Sequence, residues 1–124
     1  VIDRFDAPFF FYNLDSLKQH LEYMKEGLDP DIKLWYACKA NPMSAVIKIL
    51  RNLGFGLDVA SSGELHQVLN TGVDPKHILA TGPGKSKEYL EHLVTSGVKT
   101  IVLESINQAY WLNEVLEKKN TTVD

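Results

Sequence analysis

The sequence predicts an α/β protein built on a parallel sheet, and three observations predict it. Short apolar segments alternate along the 124 residues with stretches of helical periodicity. Those segments after the first end near residues 39, 60, 81 and 104. The steps (39 to 60, 60 to 81, 81 to 104) are nearly equal, as repeated strand–helix units require. Capping residues and glycines stand where the helices should start and stop. Spacing alone admits two architectures. One is a (β/α)8 barrel, which needs roughly 250 residues, so that this chain supplies about half. The other is a small doubly wound sheet, which about 120 residues can complete.

The elements follow in order. A first strand is expected at 9–13. Asn13 or Asp15 can cap the helix after it, whose Leu14, Leu17, Leu21 and Met24 fall on one face. A second strand is expected over 33–39. Its Leu34-Trp35-Tyr36-Ala37-Cys38 run suits a strand buried on both faces and leads into Lys39. Pro42 fits the first position of the next helix and Gly54 its stop. Val46, Ile47, Ile49, Leu50 and Leu53 fill that helix's inner side. Strands are then expected at 55–60, 77–81 and 99–104. Ser61 with Glu64, and Ser105 with Gln108, make capping boxes for two helices. Gly72 and Gly97 end two further ones. Thr121–Asp124 reads as the opening of another strand. No linker or low-complexity run divides the chain, so one domain, or a piece of one, is expected.

Composition narrows the possible functions. The chain is 44% hydrophobic and 23% charged, with a net charge of −3, ordinary for a modest globular domain. It has no basic stripe interleaved with aromatics, which argues against a nucleic-acid partner. Its apolar runs are too short to span a membrane. Cys38 is the one cysteine, so no intrachain disulfide can form, and a reducing, cytoplasmic setting is expected. The opening residues Val1 to Asp6 show no signal-peptide layout and no initiator methionine, so a processed or shortened chain is expected. His20, His66, His77 and His92 show no metal-ligand spacing and are expected at surface or packing positions.

Two charged residues interrupt the apolar strands. Lysine is seldom buried without a partner. At the C-terminal end of a parallel strand, Lys39 would point into the usual ligand crevice, where its amine can serve as a nucleophile. The plainer alternative is a packed stem with its ammonium in solvent. Asp58 breaks the run Phe55-Gly56-Leu57-Asp58-Val59-Ala60. A buried carboxylate needs a charge partner or several donors. Neighbouring strands could bring Asp58 to face Lys39; the alternative is a structural aspartate bonded to loop amides.

Gly82-Pro83-Gly84-Lys85-Ser86 is not a phosphate-binding P-loop, because Leu79 stands where the first glycine is required. It reads either as a tight strand-to-helix loop or as a site wall whose bare backbone lets a ligand approach. Cys38 should face the opposite side from Lys39 and pack in the core. Glu64 is explained by its capping box. Trp35, Tyr36, Tyr110 and Trp111 are expected in the core or between helix and sheet.

Tyr36-Ala37-Cys38-Lys39-Ala40-Asn41-Pro42 closely resembles the Tyr-Ala-Val-Lys-Ala-Asn-Pro signature of the pyridoxal-phosphate barrel decarboxylases. These include the ornithine and diaminopimelate decarboxylases, with alanine racemase a more distant relative. Phe10–Asp15, Gly54–Leu65 and Ile78–Lys85 match further segments in the family's order, so the resemblance spans nearly the whole chain. It favours the TIM-type barrel, with this chain as about its N-terminal half and the rest, with a β-domain, expected beyond residue 124. It assigns Lys39 the Schiff base with pyridoxal 5'-phosphate. It gives Asp58 a part in setting the protonation and orientation of that imine.

The activity implied is decarboxylation of a basic or diamino amino acid, or a related carboxylated amine, by a homodimer. In such chains the acid that pairs with the pyridine nitrogen, the ring-stacking histidine and the phosphate loop come later. This chain alone is therefore expected to be catalytically incomplete. The Gly82–Lys85 wording departs from typical ornithine and diaminopimelate decarboxylases and looks more like relatives in siderophore or antibiotic pathways. A racemase on the same barrel, a silent regulatory homologue and a small α/β binding module are the competing readings.

Overall fold

The computed structural model describes residues 4–6 and 8–123. Val1–Asp3 of the opening stretch, and Asp124 of the strand expected at 121–124, lie outside the described residues. Four parallel strands make the sheet: β1 (Trp35–Ala37), β2 (Gly56–Val59), β3 (Ile78–Ala80) and β4 (Thr100–Ile101). They lie in the order β1-β2-β3-β4. Five helices alternate with them: α1 (Leu14–Glu26), α2 (Ser44–Asn52), α3 (Ser62–Leu69), α4 (Lys87–Thr95) and α5 (Ile106–Lys119). Each helix packs on the next, from α1 through α5. A doubly wound sheet reverses its strand order in the middle. This one does not; its order is that of successive units of a barrel.

The register sets the two faces of the sheet. Ala37 lies opposite Asp58, and Asp58 opposite Leu79. Leu57, Val59, Ile78, Ala80 and Ile101 alternate with these and are buried. They share one core with Val46, Ile47 and Leu50 of α2, Leu65 and Val68 of α3, and Leu90 and Leu93 of α4. Asp58, Leu79 and Thr100 on the other face are only half-buried. The period-two geometry of a strand thus separates a helix-covered face from an open one.

The side-chain caps at Asn13, Ser61 and Ser105 form as expected, while the return half of the two capping boxes and the helix start at Pro42 do not. Asn13 accepts the Ser16 N–H at the start of α1. Ser61, Ser86 and Ser105 each accept the N–H three residues on, at the starts of α3, α4 and α5. Such a cap is worth about 1 kcal/mol. In a capping box the third helical side chain returns to the N-cap amide. Here Glu64 instead accepts from Ala60 N at 2.9 Å, and Gln108 from Glu104 N at 3.0 Å. Each side chain therefore ties its helix to the peptide just before the cap. Pro42 does not open α2; the Asn41 side chain holds the Met43 N–H in a local turn, and the helix starts at Ser44. Gly54, Gly72 and Gly97 follow α2, α3 and α4 in the left-handed region.

Several expectations need correction. Residues 9–13 form no strand, and Phe10 is 90% exposed, with Phe11 and Tyr12 exposed beside it. A strand needs a ladder partner, and no described strand pairs with this aromatic segment. The strand expected at 33–39 is shorter and is not buried on both faces: β1 lies at the sheet edge and half of it looks onto the open side. The strand expected at 99–104 keeps two residues, with Val102 and Leu103 exposed beyond it. Thr121–Val123 form no strand, although Val123 packs against the core. None of the described helices is long and apolar enough to cross a membrane.

Candidate functional site

The strand ends on the C-terminal side of the sheet collect the polar groups. Past Ala37 the chain leaves β1 in a 3-10 turn, Cys38–Ala40. The Tyr36 hydroxyl closes the turn by donating to the Asn41 carbonyl at 3.2 Å. Lys39 is exposed on this turn, whereas Cys38 is fully buried. Cys38 and Lys39 are placed oppositely as expected, but in a 3-10 turn beyond β1 rather than by strand alternation. Burial pushes the Cys38 thiol up to about 12, and the Glu64 and Asp58 carboxylates add to the shift.

Asp58 lies on the open face of β2 and is half-buried. Thr81, two residues beyond its neighbour Leu79, donates its hydroxyl to Asp58 Oδ1 at 2.7 Å. The expectation of a deeply buried carboxylate is corrected: the open face leaves Asp58 partly solvated, and its partner is a hydroxyl. No ion pair joins Asp58 to Lys39 among the described residues. The register explains this. Ala37 faces Asp58, and Lys39 lies two residues farther along, on the turn.

The loop after β3 is built differently. Lys85 is only 3% exposed. Its Nζ donates to the Gly82 carbonyl at 2.5 Å and lies 3.3 Å from Glu104 Oε2. Glu104 Oε1 accepts the Gly82 N–H at 2.9 Å. Gln108 Nε2 donates to the Pro83 carbonyl at 2.8 Å. Gly82 has φ +95°, and a Cβ there would lie 3.2 Å from the Ala60 Cβ. Its glycine is therefore required both by conformation and by the close approach to the end of β2. Gly84 has open space where its Cβ would be.

Sequence reasoning did not single out Thr81 or Glu104 and read Lys85 only as part of a tight loop or site wall. The signals were present. Glu104 closes the apolar run Ile101-Val102-Leu103, as Lys39 closes its own. Thr81 shares Asp58's face by period two.

Other side chains sort simply. All four histidines are exposed. Tyr110 and Trp111 are exposed rather than packed, because α5 turns Gln108, Leu112 and Val115 inward instead. Trp35 is partly exposed, yet its ring lies over Gly56, where a Cβ would come within 2.3 Å. Tyr36 is half-buried, as expected of a packing residue. The Tyr89 hydroxyl is buried without a hydrogen-bond partner among the described residues. Desolvation, then the Glu64 and Asp58 charges, raise its pKa.

A family model described as pyridoxal-dependent decarboxylase, pyridoxal binding domain, matches residues 14–123. The chain belongs to this decarboxylase family. Among its relatives is the L-glutamyl-(BtrI acyl-carrier protein) decarboxylase of Niallia circulans, 34% identical over 96% of this chain and 28% of the relative. The ornithine decarboxylase of Neurospora crassa is 36% identical over 83% of this chain and 21% of that enzyme. The diaminopimelate decarboxylase of Helicobacter pylori, solved with L-lysine, superposes with a TM-score of 0.85 at 27% identity. That match covers 95% of this chain and 30% of the solved one. The chain thus spans less than a third of these relatives and corresponds to the N-terminal part of a barrel decarboxylase.

The donor set present fits pyridoxal phosphate. An aldehyde cofactor needs a reachable primary amine, and Lys39 is exposed. It needs fixed polar groups nearby, and Asp58, held by Thr81, lies on the open face at the same end of the sheet. It needs room, which the uncovered face of the sheet leaves beside half-buried Asp58.

Proposed function

We propose that the protein decarboxylates an amino-acid substrate, basic, diamino or a related carboxylated amine, with pyridoxal 5'-phosphate held on Lys39. The carrying observation is the exposed Lys39 amine at the sheet end that also bears the Thr81-oriented Asp58, in a chain of the pyridoxal-binding family. When bound, the cofactor supplies the conjugated ring that takes up the electron pair released from the bond to the departing carboxylate. This chain contributes two of the groups that such a site uses. Lys39 Nζ would be the primary amine that holds the cofactor through its aldehyde carbon. Thr81 donates to Asp58 Oδ1 and so fixes the carboxylate, leaving Oδ2 as an acceptor for an N–H of the cofactor or substrate. The names of the relatives support an amino-acid or amino-acyl substrate. The same reading includes a homodimer, and a cytoplasmic setting that suits the free Cys38 thiol.

The test is chemical. The intact protein is incubated with pyridoxal phosphate, reduced with borohydride and mapped by peptide mass. The label is expected on Lys39. A label on Lys33, Lys48 or Lys85 in its place overturns the assignment. Release of carbon dioxide from ornithine, lysine, diaminopimelate or a glutamyl thioester then names the substrate class.

A further inference from the structure

We propose that Lys85 and Glu104 form an internal lock that fixes the Thr81–Gly84 wall and, through the Thr81 hydroxyl, aims Asp58. The inference rests on the decarboxylase reading for its catalytic meaning; the lock itself rests on geometry. A tight strand-to-helix turn needs only glycine and a cap, which Gly82 and Ser86 already provide. The chain nevertheless buries an ammonium there, with the Lys85 side chain 0% exposed. Such burial is costly unless the charge is paired and its protons are used.

Both partners of Lys85 belong to one arrangement. It donates to the carbonyl of Gly82 and pairs with Glu104, whose second oxygen accepts the N–H of the same Gly82. One residue is thus held at both its amide and its carbonyl. Gln108 completes the frame from α5: it accepts the Glu104 N–H and donates to the Pro83 carbonyl. The held N–H belongs to the peptide that joins Thr81 to Gly82, and the held carbonyl to the one that joins Gly82 to Pro83. On the other side, Thr81 N donates to Val59 O at 2.9 Å, next to Asp58 itself. With its backbone fixed at both ends, Thr81 presents its hydroxyl to Asp58 Oδ1 at 2.7 Å. Lys85 and Glu104 are therefore positioning residues that act through Thr81.

The test uses the intact protein with E104Q, the charge-free pair K85M/E104Q, T81V, and T81V combined with that pair. The pair leaves no unpaired buried charge, so it remains foldable if K85M alone does not. In the cofactor-free protein two signals are read: amide exchange at Gly82 and the Asp58 carboxyl carbon-13 resonance, assigned with D58N. K85M/E104Q should speed Gly82 exchange about 10-fold or more while the β2 amides keep their rates. It should move the Asp58 resonance in the direction T81V does. Pyridoxal phosphate affinity should fall about 10-fold in both T81V and the pair, and no further when they are combined, because they act along one chain. Unchanged Gly82 exchange, an unmoved Asp58 resonance, or additive losses of affinity would each overturn the lock. So would a lower melting temperature with both signals and the affinity unchanged. Failure of the unsubstituted protein to take up pyridoxal phosphate would sink the decarboxylase reading, and the two cofactor-free signals would still decide the lock.

Discussion

Leu57 and Asp58 are adjacent in the chain and opposite in role. Leu57 is buried against the helices with Val59 and Ile78. Asp58 sits on the other face, half in solvent, with a hydroxyl for a partner. The same alternation runs along the sheet: apolar residues under the helices, and Asp58 and Thr100 among the residues looking outward. The covered face carries the hydrophobic free energy, about 1.5–3 kcal/mol for each fully buried large aliphatic side chain. The open face carries the groups that chemistry needs within reach of a ligand. Two lysines repeat the contrast. Lys39 is exposed and available to react, whereas Lys85 is buried and occupied by Gly82 and Glu104.

The sharpest way to break this contrast is Lys39→Arg. The charge stays and the site is exposed, so stability should change by less than about 0.5 kcal/mol. Covalent labelling by pyridoxal phosphate and borohydride should vanish, because a guanidinium does not form the carbonyl adduct. Retained labelling in that variant would mean another lysine reacts. Next in size is Leu57→Ala on the covered face. It should cost about 2–5 kcal/mol in urea unfolding, since the removed methyl groups leave a cavity in a closed core. A loss well under 1 kcal/mol would show that the helices do not seal that face.

Asp58→Asn tests the open face. Turnover in the intact enzyme should fall by about 10²-fold, the contribution of a positioned acid–base group. The urea midpoint should barely move, because a half-solvated amide can still accept from Thr81. A large drop in melting temperature with unchanged turnover would make Asp58 structural.

A last effect concerns Cys38 and is read only at alkaline pH. Its thiol rises from 9.0 in the unfolded chain to about 12 in the fold, chiefly by burial. The fold therefore favours the protonated thiol. That contribution is complete below pH 9 and is lost as pH climbs from 9 toward 12. Cys38→Ala should flatten this part of the stability profile, read as the difference between the two proteins' urea midpoints. Identical alkaline slopes would remove the thiol from the account.

Local chemistry was enough to read much of this molecule from its residues. Periodicity and near-equal spacing determined a parallel βα succession. The Ser61 and Ser105 caps follow from a rule that acts over three residues. The motif around Lys39 determined the family. Tertiary structure alone decided where the strands stop, since a strand exists only where a partner supplies its ladder. The aromatic segment at 9–13 has no such partner among the described residues. It also decided burial, because burial belongs to whatever packs on a face rather than to a residue's type. Asp58 is half-open and Trp111 partly exposed for that reason. The lock around Gly82 needed the fold most of all. Its charges stand 19 residues apart, and they meet only because β4 pairs beside β3 and delivers Glu104 to the buried end of Lys85.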